Sequence, residues 1–106
     1  MAHVTLLDTY IAGLQHHVNV SVAQALLIKG SRLNLVRDPT NKYDGNAVEV
    51  RTKDGTLMGF IPRESAQTIS GLLLAGYAVH AYVTGSSSLI KYDIRIGIES
   101  NTQGKG

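Results

Sequence analysis

The end of the chain carries the plainest pattern: Ile90, Tyr92, Ile94, Ile96 and Ile98 alternate with Lys91, Asp93, Arg95, Gly97 and Glu99. A period of two puts the apolar set on one face of a pleated backbone and the polar set on the other, so this stretch predicts a half-buried β-strand. Tyr77 to Thr84, rich in aromatic and β-branched residues, predicts a strand before it, and Gly85-Ser86-Ser87-Ser88 reads as the flexible loop of the hairpin that joins them. Ala47–Thr52 and Thr56–Ile61 predict a second hairpin around Lys53-Asp54-Gly55, because an Asp-Gly pair reaches positive φ at low cost. Ser31–Val36 predicts another strand, and Val4–Gln15 a long first one with Gly13 at a bend or bulge.

Two segments change period. After Pro62, the residues Ala66, Ile69, Leu72 and Leu73 fall on one face of a helix that Gly76 ends. Ser21 followed by Gln24 has the spacing of a capping box ahead of Ala25, Leu26 and Ile28, which predicts a shorter helix with Gly30 at its exit. Six strands and two short helices, joined mostly by short connections, predict one mostly β domain over residues 1–99, a curled sheet or partly open barrel. Residues 100–106 are polar and Gly-rich, so they predict a flexible C-terminal tail.

Composition narrows the setting. A chain of 106 residues supports one core, and 43% hydrophobic with 17% charged residues excludes disorder. No apolar run is long enough to span a bilayer, so no membrane partner is expected. The absence of cysteine removes disulfides, zinc–thiolate sites and thiol nucleophiles, and points to a reducing, cytoplasmic location with nucleoid association compatible. Met1 to Asp8 lacks the basic and apolar regions of a signal peptide, so the Asn19-Val20-Ser21 sequon carries no meaning. Ten basic and eight acidic residues leave a net charge of +2 with no Lys/Arg stripe, so any affinity for nucleic acid must come from a shaped pocket.

Enzyme chemistry finds no foothold. His16 and His17 are adjacent, and on a strand adjacent side chains face opposite ways, so they do not chelate one metal. His3 lies near the terminus and His80 stands alone in a strand, positions that fit a surface or a satisfied core histidine. No Gly-rich phosphate loop is present. The expectation is a binding module, not an enzyme, with no cofactor and no metal.

The densest run of unusual residues is Arg37-Asp38-Pro39-Thr40-Asn41-Lys42-Tyr43-Asp44-Gly45-Asn46-Ala47-Val48, followed at a distance by Gly59-Phe60-Ile61-Pro62-Arg63-Glu64. Together, Leu35-x-Arg37-Asp38-Pro39, Asn41-x-Tyr43-Asp44-x-Asn46-Ala47 and Gly59-Phe60-Ile61-Pro62 resemble the pattern of the HIRAN family. Ile11-Ala12-Gly13-Leu14-Gln15-His16-His17 resembles that family's opening strand, so the resemblance runs from about Tyr10 through the final strand. It implies a modified OB-like β-barrel without catalysis of its own. It also implies capture of the 3′ end of single-stranded DNA, as in a helicase-like member of the family, in DNA repair or fork processing beside a helicase or nuclease partner.

Under that resemblance the loop residues acquire roles. Tyr43 is a platform for a terminal base, and such stacking contributes roughly 1–3 kcal/mol per base. Asp44 accepts a bond from a free hydroxyl and repels a phosphate, so it selects ends. Asn41 bonds the sugar or a base edge, while Arg37 and Lys42 contact phosphates without reading sequence. His16 stands where the end-binding member has a second stacking tyrosine, and Lys42 replaces a proline. Folding alone offers other roles for some of these residues: Asn46 is a turn former that bonds nearby backbone, and Arg37 fits an ion pair with Asp38 or a neighbouring strand as well as it fits a phosphate. The rival function is a protein-interaction or accessory domain that kept the fold without end recognition. Oligomeric state, and the choice between DNA and RNA, stay open.

Overall fold

The computed structural model describes residues 2–100, with side chains over residues 4–99. The side chain of His3 and the predicted tail beyond residue 100 lie outside the described residues. Among those described, the order is β1 (Ala2–Tyr10), a 3-10 turn (Leu14–His16), α1 (Val20–Leu26), β2 (Arg32–Arg37), β3 (Val48–Arg51), β4 (Leu57–Phe60), α2 (Arg63–Leu74), β5 (Val79–Ser88) and β6 (Lys91–Ser100). The strands form one antiparallel sheet in the order β1-β6-β5-β2-β3-β4. The sheet curls until the chain just past β1 meets β4: Ala12 N–H donates to Phe60 O at 2.8 Å, and Phe60 N–H to Ala12 O at 3.0 Å. A half-barrel of six strands with two helices results, as the hydrophobic pattern predicts.

The period-two residues build its interior. Tyr92, Ile94 and Ile96 of β6 face Leu33 and Leu35 of β2, Val48 and Val50 of β3, and Met58 of β4 in one core. Ala66 and Ile69 bring α2 against it, and Leu14, Ala23 and Leu27 bring in the 3-10 turn and α1. Fully burying an aliphatic side chain of this size contributes about 1.5–3 kcal/mol.

Closure depends on Gly59. A Cβ there would lie 2.4 Å from Ala12 O and 2.7 Å from Ile11 Cγ2, closer than any non-bonded pair tolerates. The glycine of the Gly59-Phe60-Ile61-Pro62 motif is therefore the residue that lets the Ile11–Ala12 backbone lie on β4.

Three elements differ from expectation. The first strand does not run to Gln15: it stops at Tyr10, and Gly13 at φ 73° starts the 3-10 turn that carries His16. The apolar residues of that segment suit either period, and the left-handed glycine decides between them. Ser21 and Gln24 do not cap α1; Asn19 does, its Oδ1 accepting from Val22 N–H at 2.9 Å. Ser86–Ser88 is not a loop but the end of β5, so the hairpin turns at Leu89 and Ile90, with Ser88 Oγ accepting from Ile90 N–H at 3.3 Å. Ile90 keeps the parity of the β6 core residues yet lies outside the ladder, because parity alone does not say where pairing ends. The Asp54-Gly55 turn forms as predicted, with Gly55 at φ 92°.

Candidate functional site

Residues 38–47, which link β2 to β3, are held by a dense set of local bonds. Asn41 N–H donates to Asp38 O at 3.1 Å, so Asp38-Pro39-Thr40-Asn41 forms a turn with proline second, where its fixed φ suits. Ala47 N–H then donates to Asp44 O at 3.0 Å and closes a second turn. Asn41 sits at the centre: its Oδ1 accepts from Tyr43 N–H at 2.9 Å and Asp44 N–H at 3.1 Å, and its Nδ2 donates to Asp38 Oδ2 at 3.1 Å. The side chains that bond the backbone here are Asn41 and Asp44, whereas Asn46 supplies the N–H that Asp44 Oδ1 accepts at 2.9 Å.

With its backbone pinned, Tyr43 presents its ring to solvent, 76% exposed. Lys42 Nζ lies over that ring, 5.2 Å from its centre, in the range of a cation–π contact. Asp44 has one oxygen on the main chain, while its Oδ2 faces Arg63 Nε at 3.9 Å. Arg63, the first residue of α2, also donates from Nη2 to Tyr43 O at 3.3 Å. An exposed pair at this separation contributes little to folding, and water screens it.

These residues line a cleft of about 290 Å³ between the loop and β4, formed by Ala12, Asn41, Tyr43, Asp44, Ala47, Phe60, Ile61 and Arg63. The structure thus brings Asn41, Tyr43 and Asp44 together, with Lys42 on the Tyr43 ring. Arg37 and His16 do not line the cleft. Arg37 ends β2 and donates from Nε to Ser70 Oγ of α2 at 3.1 Å, tying sheet to helix in place of the ion pair considered for it. His16 is exposed on the 3-10 turn. Its neighbour His17 packs its ring on Phe60 with centres 5.6 Å apart and planes tilted by 57°.

Reading residues in sequence missed Arg63, Phe60 and His17. Arg63 and Phe60 sit inside the second motif, and the β3–β4 pairing carries them to the loop that leads into β3: Phe60 pairs with Glu49, and Ile61 N–H donates to Val48 O at 2.9 Å. Among the described residues no group of three His, Cys, Asp or Glu side chains can hold a metal ion. No helix there is long and apolar enough to cross a membrane.

Comparison with known proteins places this architecture. The HIRAN domain matches residues 4–101, which include the whole cleft and reach past the Tyr10 limit of the sequence resemblance. The chain belongs to the HIRAN family. A Fanconi-associated nuclease 1 homolog of Oryza sativa subsp. japonica is 31% identical over 71 residues, 64% of this chain. This HIRAN domain spans only 7% of that nuclease homolog's length. Among solved structures, a Lactobacillus plantarum protein superposes with a TM-score of 0.82 at 23% identity, over 92% of this chain and 95% of that one. The HIRAN domain of human HLTF superposes at 0.76 with 19% identity, over 91% and 78%. The HLTF HIRAN domain in its DNA-bound conformation gives 0.66 with 18% identity, over 97% and 84%. At these identities the likeness to solved structures is one of fold.

Proposed function

We propose that this HIRAN domain binds the 3′-hydroxyl end of single-stranded DNA in the cleft between the 38–47 loop and β4. The observation that carries the proposal is the pairing, in one cleft, of an exposed Tyr43 ring with an Asp44 carboxylate that keeps one oxygen off the main chain. The ring stacks the terminal base on its apolar face, at roughly 1–3 kcal/mol per base and with little regard to sequence. Asp44 Oδ2 accepts the terminal hydroxyl in a charge-assisted bond and repels a phosphate in the same position. Arg63, whose side chain is 79% exposed, pairs with the last phosphodiester in place of its loose contact to Asp44. Lys42 swings from the Tyr43 ring to a second phosphate. Asn41 holds the platform in place and offers its remaining amide hydrogen to the sugar. Arg37, engaged with Ser70, contributes by anchoring β2.

Support also comes from relatives: the HLTF domain that shares this fold has been solved in a DNA-bound conformation, and the matched plant protein is a nuclease homolog. In a repair or fork-processing setting the domain would present ends to a helicase or nuclease partner. Replacing Tyr43 with Ala tests the platform. Affinity for a short, 5′-labelled oligonucleotide, read by fluorescence anisotropy, should fall about 5- to 150-fold, while folding stability moves by less than about 0.5 kcal/mol. Unchanged affinity would leave the molecule a HIRAN fold that recognises something other than ends, with a protein partner as the next candidate.

A further inference from the structure

We infer that Arg37 is a positioning residue for Arg63: through its bond to Ser70 it fixes how α2 is turned against the 38–47 loop, and so where the Arg63 guanidinium stands beside the cleft. This rests on the end-binding reading above. It concerns the cation that meets the last phosphodiester, not the ring or the acid.

α2 meets the segment 37–44 at two points. At its first residue, Arg63 donates from Nη2 to Tyr43 O at 3.3 Å and faces Asp44 Oδ2 from Nε at 3.9 Å. Further along, Ser70 Oγ accepts from Arg37 Nε at 3.1 Å. Positions 63 and 70 are close to two full turns apart, so they lie on one stripe of the helix, about 10 Å from each other along its axis. A rotation of α2 that parts Ser70 from Arg37 therefore swings Arg63 off the loop in the same sense.

Apolar packing alone does not fix that angle. Ala66 and Ile69 are buried, and Leu72 and Leu73 pack at the margin of the core, but such burial is non-directional. At the start of the helix Pro62 stands in the N-cap position, and no side chain caps the first turn. The Arg37–Ser70 bond supplies a direction. Ser70 is only 3% exposed and Arg37 is half-buried, so this bond is sheltered, whereas the Arg63 contacts are open to water and screened. When Arg63 leaves Tyr43 O and Asp44 for a phosphate, the Arg37–Ser70 bond stays in place and α2 keeps its setting. Arg37 lies outside the cleft lining and adds no phosphate contact of its own.

The test measures the affinity of the full chain for a short, 5′-labelled single strand ending in a 3′-hydroxyl, over a series of salt concentrations. With Arg63 and Lys42 each meeting one phosphate, the unaltered chain should give a log–log slope of about −1.4. Ser70→Ala keeps every cation, yet it should weaken binding about 3- to 10-fold and bring the slope towards about −0.7, as Arg63→Ala does. Arg37→Ala should match Ser70→Ala, and the double variant should bind no more weakly than either single one, because both remove the same bond. Melting temperatures of the variants separate these effects from loss of folded protein. A Ser70→Ala chain that keeps both the affinity and the slope of the unaltered chain overturns the proposal. So does a slope lowered in Arg37→Ala but not in Ser70→Ala, since Arg37 would then touch phosphate itself. If the unaltered chain binds a 3′-phosphate form as tightly as the 3′-hydroxyl form, the end reading at Asp44 fails, and the Ser70→Ala slope still decides the part of Arg37. A chain that binds neither form overturns both.

Discussion

Asp44 shows at the scale of one residue how folding and recognition can share a side chain. Its Oδ1 closes a turn on Asn46 N–H, while Oδ2 looks into the cleft towards Arg63. Asn41, proposed from sequence to touch sugar or base, has three of its bonds inside the loop, and so stiffens the platform beside it. The exposure of Tyr43 was legible in sequence from the polar residues around it. The anchoring role of Asn41 was not, because an Asn that bonds a ligand and one that bonds its own loop look alike in sequence. Away from the cleft, Asp54 illustrates a different coupling. Its carboxylate accepts from the Thr52 hydroxyl and from Thr56 N–H and Oγ1, and these bonds, with Thr52 first, hold it below the usual carboxylate range. A carboxyl whose folded pKa is lowered contributes stability above its unfolded pKa and loses it as pH falls through the folded one. Asp8, lowered by its bond from Arg95, acts in the same direction. The urea midpoint should therefore decline as pH falls below the usual carboxylate range of about 4, and less steeply in Asp54→Asn. An identical decline in that variant would show that the Thr52–Asp54–Thr56 bonds do not contribute.

Among the elements, β4 and the segment after β1 depend on each other most. Gly59→Ala places a methyl against Ala12 O and Ile11 Cγ2, and over-packing of this kind costs about 1–3 kcal/mol. Denaturant unfolding should show that loss; a variant as stable as the parent would mean that the closure yields more easily than its two bonds indicate. The strands of the two hairpins and the apolar face of α2 were legible because period two and period 3.6 leave separate traces in sequence. Less visible were the 3-10 turn, the true cap of α1 and the end of β5. Each is decided by one local bond or one φ angle: Gly13 at the turn, Asn19 at the helix start, Ser88 at the hairpin tip. The site inherits that limit, since the position of His16 and His17 follows from the turn and not from a strand.

For the molecule as a whole, the small net charge and the narrow cleft make the same statement about binding. With Arg63 and Lys42 as the two cations nearest the Tyr43 platform, few counterions should be released. The logarithm of affinity should therefore fall with the logarithm of salt at a slope of about −1.4 for a single strand, and a slope several times steeper would mean that a long stretch of backbone lies elsewhere on the surface. The half-barrel and its membership of the HIRAN family could be foreseen from the motifs in sequence, but the place of Ala12 beside the loop, β4 and the start of α2 in one cleft follows from the Ala12–Phe60 bridge. The most direct measurement is a titration of the unaltered chain with one short oligonucleotide prepared in two forms, ending in a 3′-hydroxyl or in a 3′-phosphate. If Asp44 receives the end, the hydroxyl form binds at least about tenfold more tightly, a difference of about 1.4 kcal/mol. Equal affinity for the two forms would contradict it.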